Sequence, residues 1–98
     1  MLMSLKDHYD FESLVNESER LVLAELEAQL SVDKDACTCQ DCVLDMAAFA
    51  LNNVKPAYRV SLMGSVYVKA AGENAQAQEI RRSVREAVQK VKANPSHD

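Results

Sequence analysis

Apolar residues recur through the first third of the chain at the spacing of a helix. Leu14, Val15, Leu21, Val22, Leu26 and Leu30 fall on one side of a 3.6-residue repeat, which predicts a first helix over about residues 11–30. Asp10 is placed to cap it, and Glu12 to meet the positive end of its dipole. Leu23, Ala24 and Ala28 widen the stripe beyond a single face, so a helical or subunit partner is expected to cover it. A polar break follows over 31–41. The second helix, predicted from near Cys42 to about Asn53, is apolar around nearly its whole circumference and is expected at the centre of the fold. Asp45 and Asn52, seven residues apart, project from one side of it with Phe49 between them, and Pro56 confirms its end. Over 58–68, Tyr58, Val60 and Leu62 alternate with Arg59 and Ser61, and Val66-Tyr67-Val68 follows Gly64-Ser65. This predicts a short β-hairpin or two extended arms, which must lie on the helices or pair across a dimer because a lone hairpin is marginal in water. Ile80, Val84, Ala87, Val88 and Val91 define a last helix over 73–92, with Arg81, Arg82, Arg85, Glu86 and Lys90 on its other face.

The fold class expected is mainly α: a compact helical domain with a short extended hairpin, dimeric. The 98 residues make one domain, with its core over about 10–92 and a short tail at each end. Two glycines and two prolines are little material for the turns of a β-sandwich. A domain of this size often gains stability from a metal or a second subunit.

Charge changes the picture further. A formal net charge of −4 argues against general nucleic-acid binding. Residues 1–36 carry nine acids against three bases, whereas no acid occurs between Asp45 and Glu73, a stretch that holds Lys55, Arg59 and Lys69. Such asymmetry suits docking between the halves or an anionic ligand on the acid-free side. No run is long enough to span a membrane, and the N-terminus does not read as a signal peptide.

Cys37, Cys39 and Cys42 are the only cysteines, and they crowd into six residues immediately before the second helix. Their odd number and close spacing give no disulfide framework, so a reducing cytoplasm is the expected compartment. C-x-C-x-x-C can gather three thiolates around a soft ion such as zinc, and a helix N-terminus at Cys42 favours the thiolate form. Candidates for a fourth ligand are His8, Asp35, Asp41, His97, a water or a group from another subunit. A closed site is structural and an open one can be catalytic. Cys39-Gln40-Asp41-Cys42 also has the spacing of a redox pair, though without the βαβ pattern that carries such chemistry, and three reduced cysteines without a metal are a further reading.

The run from Cys37 to Tyr58, CTCQDCVLDMAAFALNNVKPAY, resembles the signature of the late competence development protein ComFB family. That signature joins the cysteine cluster to a D-x-x-A-x-A-L-N helix and a P-x-Y exit. Asn16-Glu17 with Leu21 and Glu25-Leu26 resembles the family's first helix, and Gly64-Ser-Val-Tyr67 its G-x-V-Y segment. Many relatives have two prolines before the tyrosine, where this chain has Lys55-Pro56. The resemblance implies a small, mostly helical, dimeric, bacterial protein that binds zinc through Cys37, Cys39 and Cys42. It further implies a link to competence and a role as a receptor for a cyclic dinucleotide, cyclic di-GMP or cyclic di-AMP, rather than as an enzyme.

The residues can be asked separately whether they suit that ligand. Two phosphates and two purines call for positive charge, edge donors and flat surfaces, which arginine and tyrosine supply. Arg59, Lys69, Tyr58, Asn52 and Lys55 are therefore the ligand candidates, with Arg59 foremost. Its rival role is a salt bridge to the acidic first helix, and the rival role of Asn52 is to cap its helix. The expected function is a zinc-containing, non-enzymatic cyclic-dinucleotide receptor that acts on an unidentified downstream protein. The alternatives are a zinc-stabilised interaction module without a small ligand and, third, a zinc or thiol enzyme.

Overall fold

The computed structural model describes residues 4–60 and 62–95, with side chains for 4–60 and 75–95. Its order is a short helix α1 (Leu5–His8), a 3₁₀ turn (Phe11–Ser13), β1 (Val15–Asn16), α2 (Glu17–Val32), α3 (Gln40–Leu51), β2 (Tyr58–Arg59) and α4 (Leu62–Ala93). The mainly helical class expected from the sequence, with a small antiparallel two-stranded element, is the one observed.

The first long helix starts later than its apolar periodicity suggested. Asp10 serves the 3₁₀ turn, where its Oδ2 accepts from the Ser13 hydroxyl at 2.7 Å. The cap of α2 is Asn16, whose Oδ1 accepts from the Ser18 N–H at 3.1 Å and from the Ala57 N–H at 2.8 Å. Asparagine is a strong cap because its side chain replaces a missing helical acceptor. Here the same oxygen also ties the helix start to the chain 41 residues downstream. The Glu17 N–H donates to the Ala57 carbonyl at 2.7 Å, and the Ser18 hydroxyl to the Lys55 carbonyl at 2.6 Å.

These bonds account for the second departure. Tyr58 and Arg59 are extended as expected, but their partner is β1, with Val15 opposite Arg59 and Asn16 opposite Tyr58. The region 66–68, expected as the other arm, is helical backbone inside the 32-residue α4. A short apolar run cannot be assigned to strand or helix by periodicity alone, and the pairing edge of 58–59 is already taken by β1.

The core is a three-helix layer. Val22 and Leu26 of α2, Met46, Ala47 and Ala50 of α3, and Ile80, Val84, Ala87, Val88 and Val91 of α4 are buried together, with Ala36 and Val54 closing the ends. Full burial of a side chain such as Met46 or Val84 contributes about 1.5–3 kcal/mol. The Ser83 hydroxyl donates to the Asn53 carbonyl at 3.2 Å, and the Lys90 ammonium lies 5.4 Å from the Phe49 ring centroid, joining α4 to the end of α3. α3 is central but not covered all round within one chain. Leu44 is 59% exposed, and Asp45 and Ala48 also face outward, which corrects the expectation of burial on every side. Among the described residues, no helix is long and apolar enough to cross a membrane.

Candidate functional site

The cysteines sit where α2 hands over to α3. Asp33 ends α2, its N–H bonded to the Gln29 carbonyl at 3.1 Å. Its Oδ1 accepts from the Asp35 N–H at 3.1 Å, and Lys92 of α4 reaches both carboxylate oxygens at 3.1 and 3.3 Å. The Lys92 hydrogen bond, helped by the backbone N–H groups of Asp35 and Ala36, holds the Asp33 carboxyl below the ordinary carboxylate range against the cost of its burial. The turn leading into the cysteines is thus pinned to the last helix.

Cys39 caps α3 with sulfur. Its Sγ accepts from the Cys42 N–H at 3.5 Å, and its carbonyl accepts from the Val43 N–H at 3.0 Å. Cys42 is buried in the first turn, and Cys37 is half-buried. The three Sγ atoms lie within 4.8 Å of one another. Zinc–sulfur bonds of about 2.3 Å in a tetrahedron set sulfurs about 3.8 Å apart, so the loop needs to contract by no more than about 1 Å to hold such an ion. The donors are soft and close together, so the set fits a metal ion of zinc's type. Of the expected fourth ligands, His8, Asp35 and Asp41 do not join this group, and His97 lies outside the described residues.

Asp33 is not a member of the cysteine group but fixes the turn that carries it. Asp33→Ala is expected to weaken metal binding by about tenfold, the lower end of what loss of a supporting group costs a metal site. Competition with a chromophoric chelator measures it, and unchanged affinity would show that the turn holds its shape without the Lys92 link.

A second constellation lies at the other end of α2. Glu17 is 1% exposed. Its Oε2 accepts from Arg59 Nε at 2.8 Å and its Oε1 from Arg20 Nε at 2.7 Å, with Arg20 Nη2 also in contact. The hydrogen bond from Arg59 and then that from Arg20 hold the Glu17 carboxyl below its usual range, outweighing desolvation. Arg59 therefore makes the salt bridge to the first helix that competed with a ligand role. Tyr58, 62% exposed, shares a shallow concavity with Leu14, Val15, Asn16, Glu19, Arg20 and Leu23.

The sequence-derived ligand candidates are thus only partly gathered. Tyr58 and Arg59 are consecutive on β2 and so project to opposite faces, and Arg59, like Lys55 and Asn52, lines no part of the Tyr58 concavity. Asn52 is the C-cap of α3 and is exposed, and the Lys55 backbone N–H donates to Glu79 Oε1 at 3.2 Å. Lys69 falls on α4, but its side chain lies outside the described residues. Arg20 was not singled out by sequence, because a base in the first turns of an acidic helix reads as a solvated partner for its neighbours. Arg81, Arg82 and Arg85 are exposed on the outer face of α4.

The profile of the late competence development protein ComFB family matches residues 15–95. A solved structure, described as the structural characterisation of the late competence protein ComFB from Bacillus subtilis, is similar with a TM-score of 0.68 and 30% sequence identity. The match covers 85% of this chain and 92% of that one. No curated protein sequence matches the chain significantly.

Proposed function

The chain belongs to the late competence development protein ComFB family, and from that premise we propose that it is a non-enzymatic signalling adaptor that binds a cyclic dinucleotide, cyclic di-GMP or cyclic di-AMP. In this reading zinc held by Cys37, Cys39 and Cys42 is a structural staple, the protein works as a homodimer in the reducing cytoplasm, and it passes its ligand state to a downstream protein. Three thiolates would hold the ion, whose chemistry is to cross-link the α2–α3 turn to the core through Cys42.

The observation that carries the ligand reading is the pairing of Arg20 and Arg59 on the two oxygens of one buried carboxylate. Two guanidinium groups against one Glu17 leave a surplus positive charge, and each planar fork keeps donors that Glu17 does not use. A phosphate beside them gains charge-assisted hydrogen bonds, and the exposed Tyr58 ring offers a base a stacking face. Lys55 and Lys69 add positive charge in the same acid-free stretch.

Arg59→Ala tests this. With zinc bound and the fold intact by circular dichroism, it is expected to weaken cyclic dinucleotide binding by more than about tenfold, the scale of one charge-assisted hydrogen-bond pair. Wild-type affinity in that variant would remove Arg59, and the guanidinium pair with it, from the ligand reading. A second reading, an interaction module with no small ligand, is favoured by the exposed apolar side chains Leu44 and Val60, 59% and 67% accessible. Nucleotide silence together with a defined co-purifying protein would favour it.

A further inference from the structure

The three cysteines are alike in sequence but not in place. Cys39 is exposed, Cys37 is half-buried, and Cys42 belongs to the buried core with Val22 and Met46. Cys39 is the N-cap of α3, and Cys42 stands three residues later in its first turn. The Cys39 Sγ lies over that turn, 3.5 Å from the Cys42 backbone nitrogen. The two sulfurs are within 4.8 Å of each other. Positions three apart on a helix hold their Cα atoms about 5 Å apart, inside the range that a disulfide spans. Rotation of the exposed Cys39 side chain brings its sulfur toward Cys42 while the buried one keeps its place. Cys37 is the poorer partner. It lies before the helix, and a bridge to Cys39, one residue away, would close a tighter and more strained ring.

An exposed sulfur with a buried one in reach is the arrangement of a redox sensor: the first meets the oxidant and the second resolves it. We infer that Cys39 and Cys42 form an oxidative-modification site, at which a peroxide converts the pair to a disulfide and displaces the metal. The Cys39 thiolate attacks one peroxide oxygen. The O–O bond breaks, hydroxide leaves, and Cys39 becomes a sulfenic acid. The Cys42 thiolate then attacks that sulfur. The S–S bond forms, the S–O bond breaks, and a second hydroxide leaves. Two thiolates have lost two electrons, and the peroxide is reduced to two hydroxides that take protons from solvent.

A thiolate is the metal ligand, so the bridge removes two of the three donors and leaves Cys37 as the one thiolate of the cluster. A dithiol reductant restores all three. The metal release rests on the zinc reading above, whereas the disulfide does not. The loop is thus cross-linked by an ion when reduced and by a covalent bond when oxidised, and the tether through Cys37 exists only in the first state.

The test is hydrogen peroxide added to the reduced, zinc-loaded full chain, and to the metal-free chain. Released zinc is read with a chromophoric indicator, thiols are counted, and the product is mapped by peptide mass spectrometry. Zinc is expected to appear in step with the loss of two thiols and of about 2 Da, with the bridge between Cys39 and Cys42 and full recovery in dithiothreitol. In Cys42→Ser the sulfenic acid should persist on Cys39 and be trapped by dimedone, whereas Cys39→Ser should give no adduct on Cys42. If either variant fails to fold, the wild-type map decides. A bridge that uses Cys37, oxidation beyond sulfenic acid with no bridge, or a zinc-loaded chain that keeps its thiols in peroxide that oxidises the metal-free chain would each overturn the inference. If the chain takes up no zinc, the metal reading falls by itself. The map of the metal-free chain then decides: a reversible Cys39–Cys42 bridge keeps the modification site, and its absence overturns it.

Discussion

Glu17→Ala is expected to lower stability by about 3 kcal/mol, which for a domain of this length moves the thermal midpoint by more than about 10 °C. The carboxylate is buried and receives both Arg20 and Arg59, and Arg59 is itself only 21% exposed at its side chain. Removal leaves the Arg59 charge half-buried beside a cavity, and it also loosens the strand that Arg59 shares with Val15. Arg20, 53% exposed, can return to water, so most of the loss comes from the Arg59 side. The effect depends on pH in a definite direction. The folded carboxyl titrates below its ordinary value of 4.5, so it binds protons less readily than in the unfolded chain. Its contribution is present in full above that value and is lost as pH falls through the lower folded pKa. Thermal melts of wild type and Glu17→Gln should therefore differ most near neutrality and converge in acid. A difference that stays constant down to strong acid would show that shape, not charge, is what Glu17 supplies.

Metal removal is the second large effect. An ion bound only by the folded chain, and present about 1,000-fold above its dissociation constant, stabilises by about 4 kcal/mol. Chelation is then expected to lower the midpoint by about 16 °C or more, on the same scaling. The loss should concentrate between Asp33 and the first turn of α3, where the three thiols are brought within 4.8 Å. The core built from Met46, Val84 and Val88 extends well beyond the loop and should keep the chain partly helical. Cys39→Ser provides the control, because its melt should no longer respond to chelator. An equal response in wild type and Cys39→Ser would place the metal elsewhere.

How much of this was legible in the sequence follows from what each signal measures. The apolar repeat of Ile80, Val84, Ala87, Val88 and Val91 is dense and uninterrupted, and those five residues are buried together as expected. The cysteine loop could be read because its ligands are local: the chain itself keeps Cys37, Cys39 and Cys42 close. The start of α2 could not, since Asn16 chooses its cap through the Ala57 N–H as well as its own helix, and that partner is known only once the chain has folded. The same long-range bonds moved the extended arm from 66–68 to Val15–Asn16. Arg59 shows the limit from the other side. Its charge and its acid-free neighbourhood pointed to an anion, and the structure gives it a buried carboxylate that also collects Arg20. Sequence marks a charge that needs a partner but not the third residue that shares that partner.

The decisive measurement is calorimetric titration of the zinc-loaded wild-type chain with cyclic di-GMP in physiological salt. Micromolar or tighter binding, saturable and weakened by Arg59→Ala, is the predicted result. No heat of binding from a folded, metal-loaded protein, with cyclic di-AMP equally silent, would contradict a nucleotide-sensing role and leave a metal-stapled interaction module in its place.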